Sequence, residues 1–195
     1  MKTRKTSTQR MVLAAILTAV VIVLQLLAQY TTFFGPFSTA VALIPIVIGA
    51  AMCGLGVGAW LGFVFSIVVL LSGGANLFLA VDVPGTIVTV LVKGTACGFT
   101  AAAAYRGSQK LSAKRFFSVL AAAIVCPVVN TGIFMLGCLV FFMDDASVLA
   151  NMLGSSSTGV ALFWALAMGN FLFELGMNIV LSPAIVRILH AKDRN

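Results

Sequence analysis

Nothing in this sequence limits its possible folds more than residues 158–189, an apolar run with no Lys, Arg or Asp before Arg187 that still carries Asn170, Glu174 and Asn178 four residues apart. At ~3.6 residues per turn a helix puts these three side chains on one face, each ~6 Å above the last. The run is long enough to span a ~30 Å hydrocarbon layer. A carboxylate at such a depth costs several kcal/mol unless it faces a protein interior or a water-filled cavity, so the stripe marks a functional interior. The other helices are then what encloses it.

The composition agrees with that setting. Of 195 residues 61% are hydrophobic and only 9% charged, and the mean hydropathy is +1.13. A soluble domain of this size has no use for so apolar a surface, so the chain reads as an all-α integral membrane protein. The formal charge of +7 does not point to nucleic acid, because the basic residues fall in three clusters. These are Lys2, Arg4, Lys5 and Arg10; Arg106, Lys110, Lys114 and Arg115; and Arg187, Lys192 and Arg194. Only Lys93 lies elsewhere, while Asp82, Asp144 and Asp145 occupy the alternate loops. That asymmetry predicts both termini in the cytoplasm. Cys53, Cys97, Cys126 and Cys138 lack CxxC or Cys/His spacing and read as small packing residues.

Residues 1–10 form a basic cytoplasmic tail, 11–190 a domain of six transmembrane helices, and 191–195 a second cytoplasmic tail. The helices are expected near 11–30, 39–53, 56–72, 84–105, 116–142 and 159–189. The first has a charged start like a signal peptide, but its apolar run is longer than an h-region and no small-x-small cleavage site follows, so it reads as a retained span. It carries a small-residue patch, Ala14, Ala15, Thr18 and Ala19. Such a patch lets another helix approach closely, either a partner's or one of the chain's own. An outer turn at 31–38 holds Phe33, Phe34, Gly35 and Pro36, which suit a cavity cap or an interfacial anchor. Pro45 predicts a kink or break in the second helix, and the glycines of Cys53-Gly54-Leu55-Gly56 a tight reversal. The next outer connection, with Gly73, Gly74, Asn76 and Asp82 around an apolar tip at 77–81, suits a lid or an interfacial loop.

Pro84 opens the fourth helix, where proline is tolerated. Lys93 then lies ~14 Å below the outer surface at 1.5 Å per residue, close to the midplane. In the fifth helix, interrupted by Pro127, Asn130 lies ~21 Å from the inner start, again near the middle. Three helices thus bring Lys93, Asn130 and the Asn170–Glu174–Asn178 stripe to similar depth. Lys93 and Glu174 have opposite signs, so they either neutralise one another as a structural ion pair or meet a polar ligand. No enzyme constellation accompanies them. The single His190 is at the inner end, the acids are too few for a metal cluster, and no Gly-rich phosphate loop precedes a Lys-Ser/Thr.

Six short helices with both ends inside, the Ala15-x-x-x-Ala19 patch, the segment Leu91-Val92-Lys93-Gly94-Thr95-Ala96-Cys97-Gly98 and the closing Asn170-x3-Glu174-x3-Asn178-x4-Pro183 pattern resemble the substrate-binding S component of energy-coupling factor (ECF) transporters. The resemblance implies a multi-pass plasma-membrane subunit, not an enzyme, that captures a vitamin or related micronutrient from outside. Lys93, Asn130, Asn170, Glu174 and Asn178, with Phe33, Phe34 and Asn76 from the outer loops, would line the site. Ala15 and Ala19 would dock on a transmembrane coupling subunit bound to two ATPase subunits. The chain would hold no cofactor or metal of its own, ATP being used by those partners. Two other readings use the same helices: a non-transporting scaffold resembling the rod-shape-determining D protein, and a stand-alone ion-coupled carrier with Glu174 as proton site.

Overall fold

A computed structural model describes residues 7–30, 40–111, 115–141 and 158–193, with side-chain detail at 8–28, 41–111, 115–141 and 167–189. These residues form helices and short turns, with no strand among them. The long helices are α1 (Ser7–Tyr30), α2 (Leu43–Cys53), α3 (Leu55–Leu71), α4 (Val83–Leu111), α5 (Arg115–Phe141) and α6 (Thr158–Asp193). A 3₁₀ turn, Ala40–Ala42, leads into α2, and a single helical turn, Asn76–Leu79, lies between α3 and α4. Four helices are long and apolar enough to cross a membrane: α1 over Thr8–Ala28, α4, α5, and α6 over Ala167–Leu189. The apolar helices α2 and α3 have 11 and 17 residues. At 1.5 Å per residue they reach only ~17 and ~26 Å.

Local chemistry sets these lengths. Pro45 sits in the first turn of α2, where its missing N–H leaves no helical acceptor unsatisfied. The break expected at Pro45 therefore comes before it, in the 3₁₀ turn. Gly54 ends α2 with φ 95° and donates its N–H to Ala50 O at 3.2 Å, a left-handed conformation that costs glycine no steric penalty. Of the two glycines expected to make that reversal only Gly54 does so, since Gly56 is already helical. At the start of α4 the Asp82 carboxylate accepts the Gly85 N–H at 3.1 Å, an N-cap that satisfies one of the helix's open donors. The fifth predicted helix is not interrupted at Pro127, because α5 runs unbroken past it.

The closest approach in the bundle is between α3 and α4. A Cβ added at Gly58 would strike Gly98 O, and one at Gly98 would strike Gly58 O. Gly62 and Gly94 block each other in the same reciprocal way. Two antiparallel Gly-x-x-x-Gly faces therefore touch backbone to backbone, the arrangement by which small residues let helices associate where lipid supplies no hydrophobic drive. Ser66 Oγ reinforces it by donating to Val90 O at 2.7 Å. Around this seam one apolar core joins Val21 of α1, Ile46 of α2, Phe65 of α3, Cys97 of α4, Val119 of α5 and Ile185 of α6, all fully buried or nearly so.

Helix α5 packs extensively on both α4 and α6, while α4 and α6 make almost no backbone contact with each other among the described residues. At one end of the bundle the Arg106 guanidinium lies against Gly54, and Arg115 Nη1 reaches Leu189 O at 3.5 Å. The basic ends of α4, α5 and α6 thus lie on one side of the molecule. Asp82 and the helical turn Asn76–Leu79 are at the opposite side.

Candidate functional site

The spacing of four on α6 becomes a single ladder. Asn170 Nδ2 donates to Glu174 Oε1 at 3.0 Å, Asn178 Nδ2 to the Glu174 backbone oxygen at 2.9 Å, and Ser182 Oγ to Asn178 O at 2.8 Å. Glu174, Asn178 and Ser182 are all at 0% exposure, while Asn170 is half-buried. From α5, Asn130 Nδ2 approaches the second carboxylate oxygen, Glu174 Oε2, at 3.4 Å, with Asn130 itself 3% exposed. A fully buried carboxylate is therefore held between amides of two helices, which gives each oxygen one hydrogen bond without cancelling its charge.

Lys93 approaches from α4 and is 8% exposed. Its Nζ lies 4.9 Å from the centre of the Phe134 ring, one turn along α5 from Asn130. The Phe134 ring meets Phe78 of the turn Asn76–Leu79 edge-to-face, with centroids 5.2 Å apart and planes at 89°. The connection between α3 and α4 thus folds its apolar tip onto the ring that covers Lys93, and Phe78 is buried there. Among the described residues no hydrogen bond or ion pair reaches Lys93 Nζ. Glu174 acts on it electrostatically.

Magnitudes show what this leaves. A desolvated cation–π contact is worth about 2 kcal/mol. Burying a lysine at the centre of a membrane helix costs ~2.5–3.5 kcal/mol on even the mildest scale. The aromatic contact alone does not cover the cost. Nearby, Asn130 Oδ1, Asn178 Oδ1 and Thr89 Oγ1 are buried and find no hydrogen-bond partner among the described residues. The amide orientations follow from chemistry, since only the NH2 end can face a carboxylate or a carbonyl oxygen. Each such acceptor is costly to leave unmade.

The structure thus brings Lys93, Asn130, Asn170, Glu174 and Asn178 to the junction of α4, α5 and α6. Asn76 is not among them: it opens the outer helical turn, with its side chain exposed. Phe33 and Phe34 lie outside the described residues. Ala15 and Ala19 lie on the exposed face of α1, flanked by exposed Val12, Ile16 and Val20. Thr18, from the same patch, is half-buried and accepts the indole N–H of Trp60 on α3 at 3.2 Å. Sequence reasoning missed Ser182, Thr89, Phe134 and Phe78. Ser182 extends the same four-residue spacing, Thr89 is one turn before Lys93, and Phe134 is one turn after Asn130, so each carried a positional signal.

Apolar spanning helices around a charged and amide-lined interior define a multi-pass membrane protein built on a polar site. The sequence matches the family described as ECF transporter, substrate-specific component, over residues 9–186, and the chain belongs to that family. It is therefore a substrate-binding transport subunit of an ECF importer, a class associated with a coupling subunit and ATPases, and not an enzyme. No curated protein and no solved structure matches it.

Proposed function

We propose that this chain captures a vitamin or related micronutrient from outside the cell at the α4–α5–α6 junction. It delivers the molecule through a transmembrane coupling subunit and two ATPase subunits, and carries no cofactor of its own. One observation carries this reading: a buried carboxylate held by amides of two helices shares the bundle interior with a buried ammonium. Ionisable and amide side chains gathered from three helices inside a membrane bundle are costly there and mark a substrate site by default. The gathering of basic residues at one end supports a cytoplasmic placement of both termini, by the positive-inside rule. In that orientation all six long helices lie in the membrane, α2 and α3 as shorter elements that reach only part of the way across its ~30 Å core. The exposed Ala15 and Ala19 suit close approach of a coupling subunit's helix. Family membership favours capture over the scaffold and the stand-alone carrier.

The test is uptake in vesicles containing the chain, a coupling subunit and both ATPases, using the molecule released from the purified protein. Uptake should stop when ATP hydrolysis is disabled. Ala15→Trp combined with Ala19→Trp should abolish the complex and the uptake while the molecule stays bound. Uptake that survives loss of the ATPases but collapses with a protonophore would make the chain a stand-alone carrier and overturn the proposal.

A further inference from the structure

Helix α1 buries one stripe, Leu17, Val21, Gln25 and Ala28, whose steps of three and four residues place them on its inward face. Gln25 is the polar member, 2% exposed, and its Oε1 finds no hydrogen-bond partner among the described residues. An amide buried in that state costs stability.

Contacts along the bundle fix its height. Leu17 lies against Gly49 of α2, and α2 ends at Gly54 beside Arg106. Gln25 is eight residues beyond Leu17 and Ala42 seven before Gly49, so at ~1.5 Å per residue the two are level. Ala42 is twelve residues from Gly54 and Lys93 thirteen from Arg106, which brings Lys93 to the same height. Asn130 lies one turn before Phe134, whose ring meets Lys93, and it hydrogen-bonds Glu174. The polar groups of α4, α5 and α6 thus stand within about one turn of Gln25 in depth. Helix α2 packs against each of the other five long helices, and α1 and α6 both pack on the 3₁₀ turn that leads into it. The inward face of α1 therefore brings Gln25 to the start of this central helix, at the depth where the polar groups of α4, α5 and α6 gather.

We propose that Gln25 is a further binding residue for the captured molecule, its Oε1 accepting a hydrogen bond from an N–H or O–H group of that molecule. Asn130 Oδ1, buried and likewise without a partner among the described residues, makes the same demand from α5. The molecule then reaches from the α4–α5–α6 junction to α1, the helix that also exposes Ala15 and Ala19. This inference rests on the capture reading and deepens it by adding α1 to the walls of the site.

The experiment compares wild type with Gln25→Leu, a change of similar volume, using two readouts that a structural and a binding role move in opposite directions. Thermal unfolding in detergent, on protein stripped of small molecules, should give Gln25→Leu a midpoint equal to or above that of wild type, since no protein partner is lost. Mass spectrometry of what the denatured full-length wild type releases should find one molecule bearing N–H or O–H groups, at a near one-to-one ratio. That released molecule should bind Gln25→Leu at least ~fivefold more weakly than wild type, the scale of one lost buried hydrogen bond. Equal affinity for the two proteins overturns the proposal and leaves an internal water as the amide's partner. A lowered midpoint, or failure of Gln25→Leu to fold, overturns it by showing that the amide holds the protein together. Release of a molecule without N–H or O–H groups overturns it as well, and all of these outcomes leave capture standing. Wild type that releases nothing after growth in rich medium overturns capture, and the proposal with it.

Discussion

Glu174 is the residue on which the interior turns, and its partners are amides from two different helices. Glu174→Leu strands the amides of Asn130 and Asn170, of which Asn130 is deeply buried. The expected loss of stability is about 1–3 kcal/mol. Glu174→Gln, which keeps an acceptor for Asn170 and lets the Asn130 amide turn over, should lose less. Thermal unfolding in detergent reads the difference, and a wild-type midpoint for Glu174→Leu would mean that these amides reach another partner. At this scale the sequence was informative wherever spacing alone fixes a face. Asn170, Glu174 and Asn178 align because every fourth residue of a helix does. Which atoms meet was not legible: Asn178 bonds backbone and not carboxylate, and Lys93 rests on a ring 41 positions away in the chain.

The contact between α3 and α4 decides the position of Lys93. Gly94 follows Lys93 directly, and its mutual contact with Gly62 draws α4 against α3. Gly62→Val should therefore push the helices apart and cost at least ~1–3 kcal/mol, the range for overpacking. Gly107→Ala in the same α4 is the control, since nothing lies within 4 Å of an added Cβ there. It should stabilise the helix by up to ~1 kcal/mol. Equal midpoints for the two variants would remove the claim that backbone contact sets this interface. The sequence showed Gly94 and Gly98 as a thin face but did not pair them, because a small-residue motif does not say which helix it meets. Proline was misleading in the opposite direction. Pro127 marks no break in α5, whereas Gly54, through its positive φ, ends α2 without any intervening loop.

For the whole molecule, the two proposed working surfaces lie on separate elements: a polar interior shared by α4, α5 and α6, and an exposed apolar face of α1 carrying Ala15 and Ala19. Composition and charge placement made the membrane class legible from the sequence. Two helices fall short of a full span in length, and the bounds the sequence suggests for them, 39–53 and 56–72, are likewise the shortest of the six. The organising claim is that the interior of α4, α5 and α6 is where the transported molecule binds. Its most direct test is the equilibrium affinity of that molecule for wild type, Asn130→Ala and Asn170→Ala. Each substitution should weaken binding by at least ~1 kcal/mol, roughly fivefold, as one lost buried hydrogen bond does. Unchanged affinity in both variants would contradict the account and place the binding site elsewhere in the molecule.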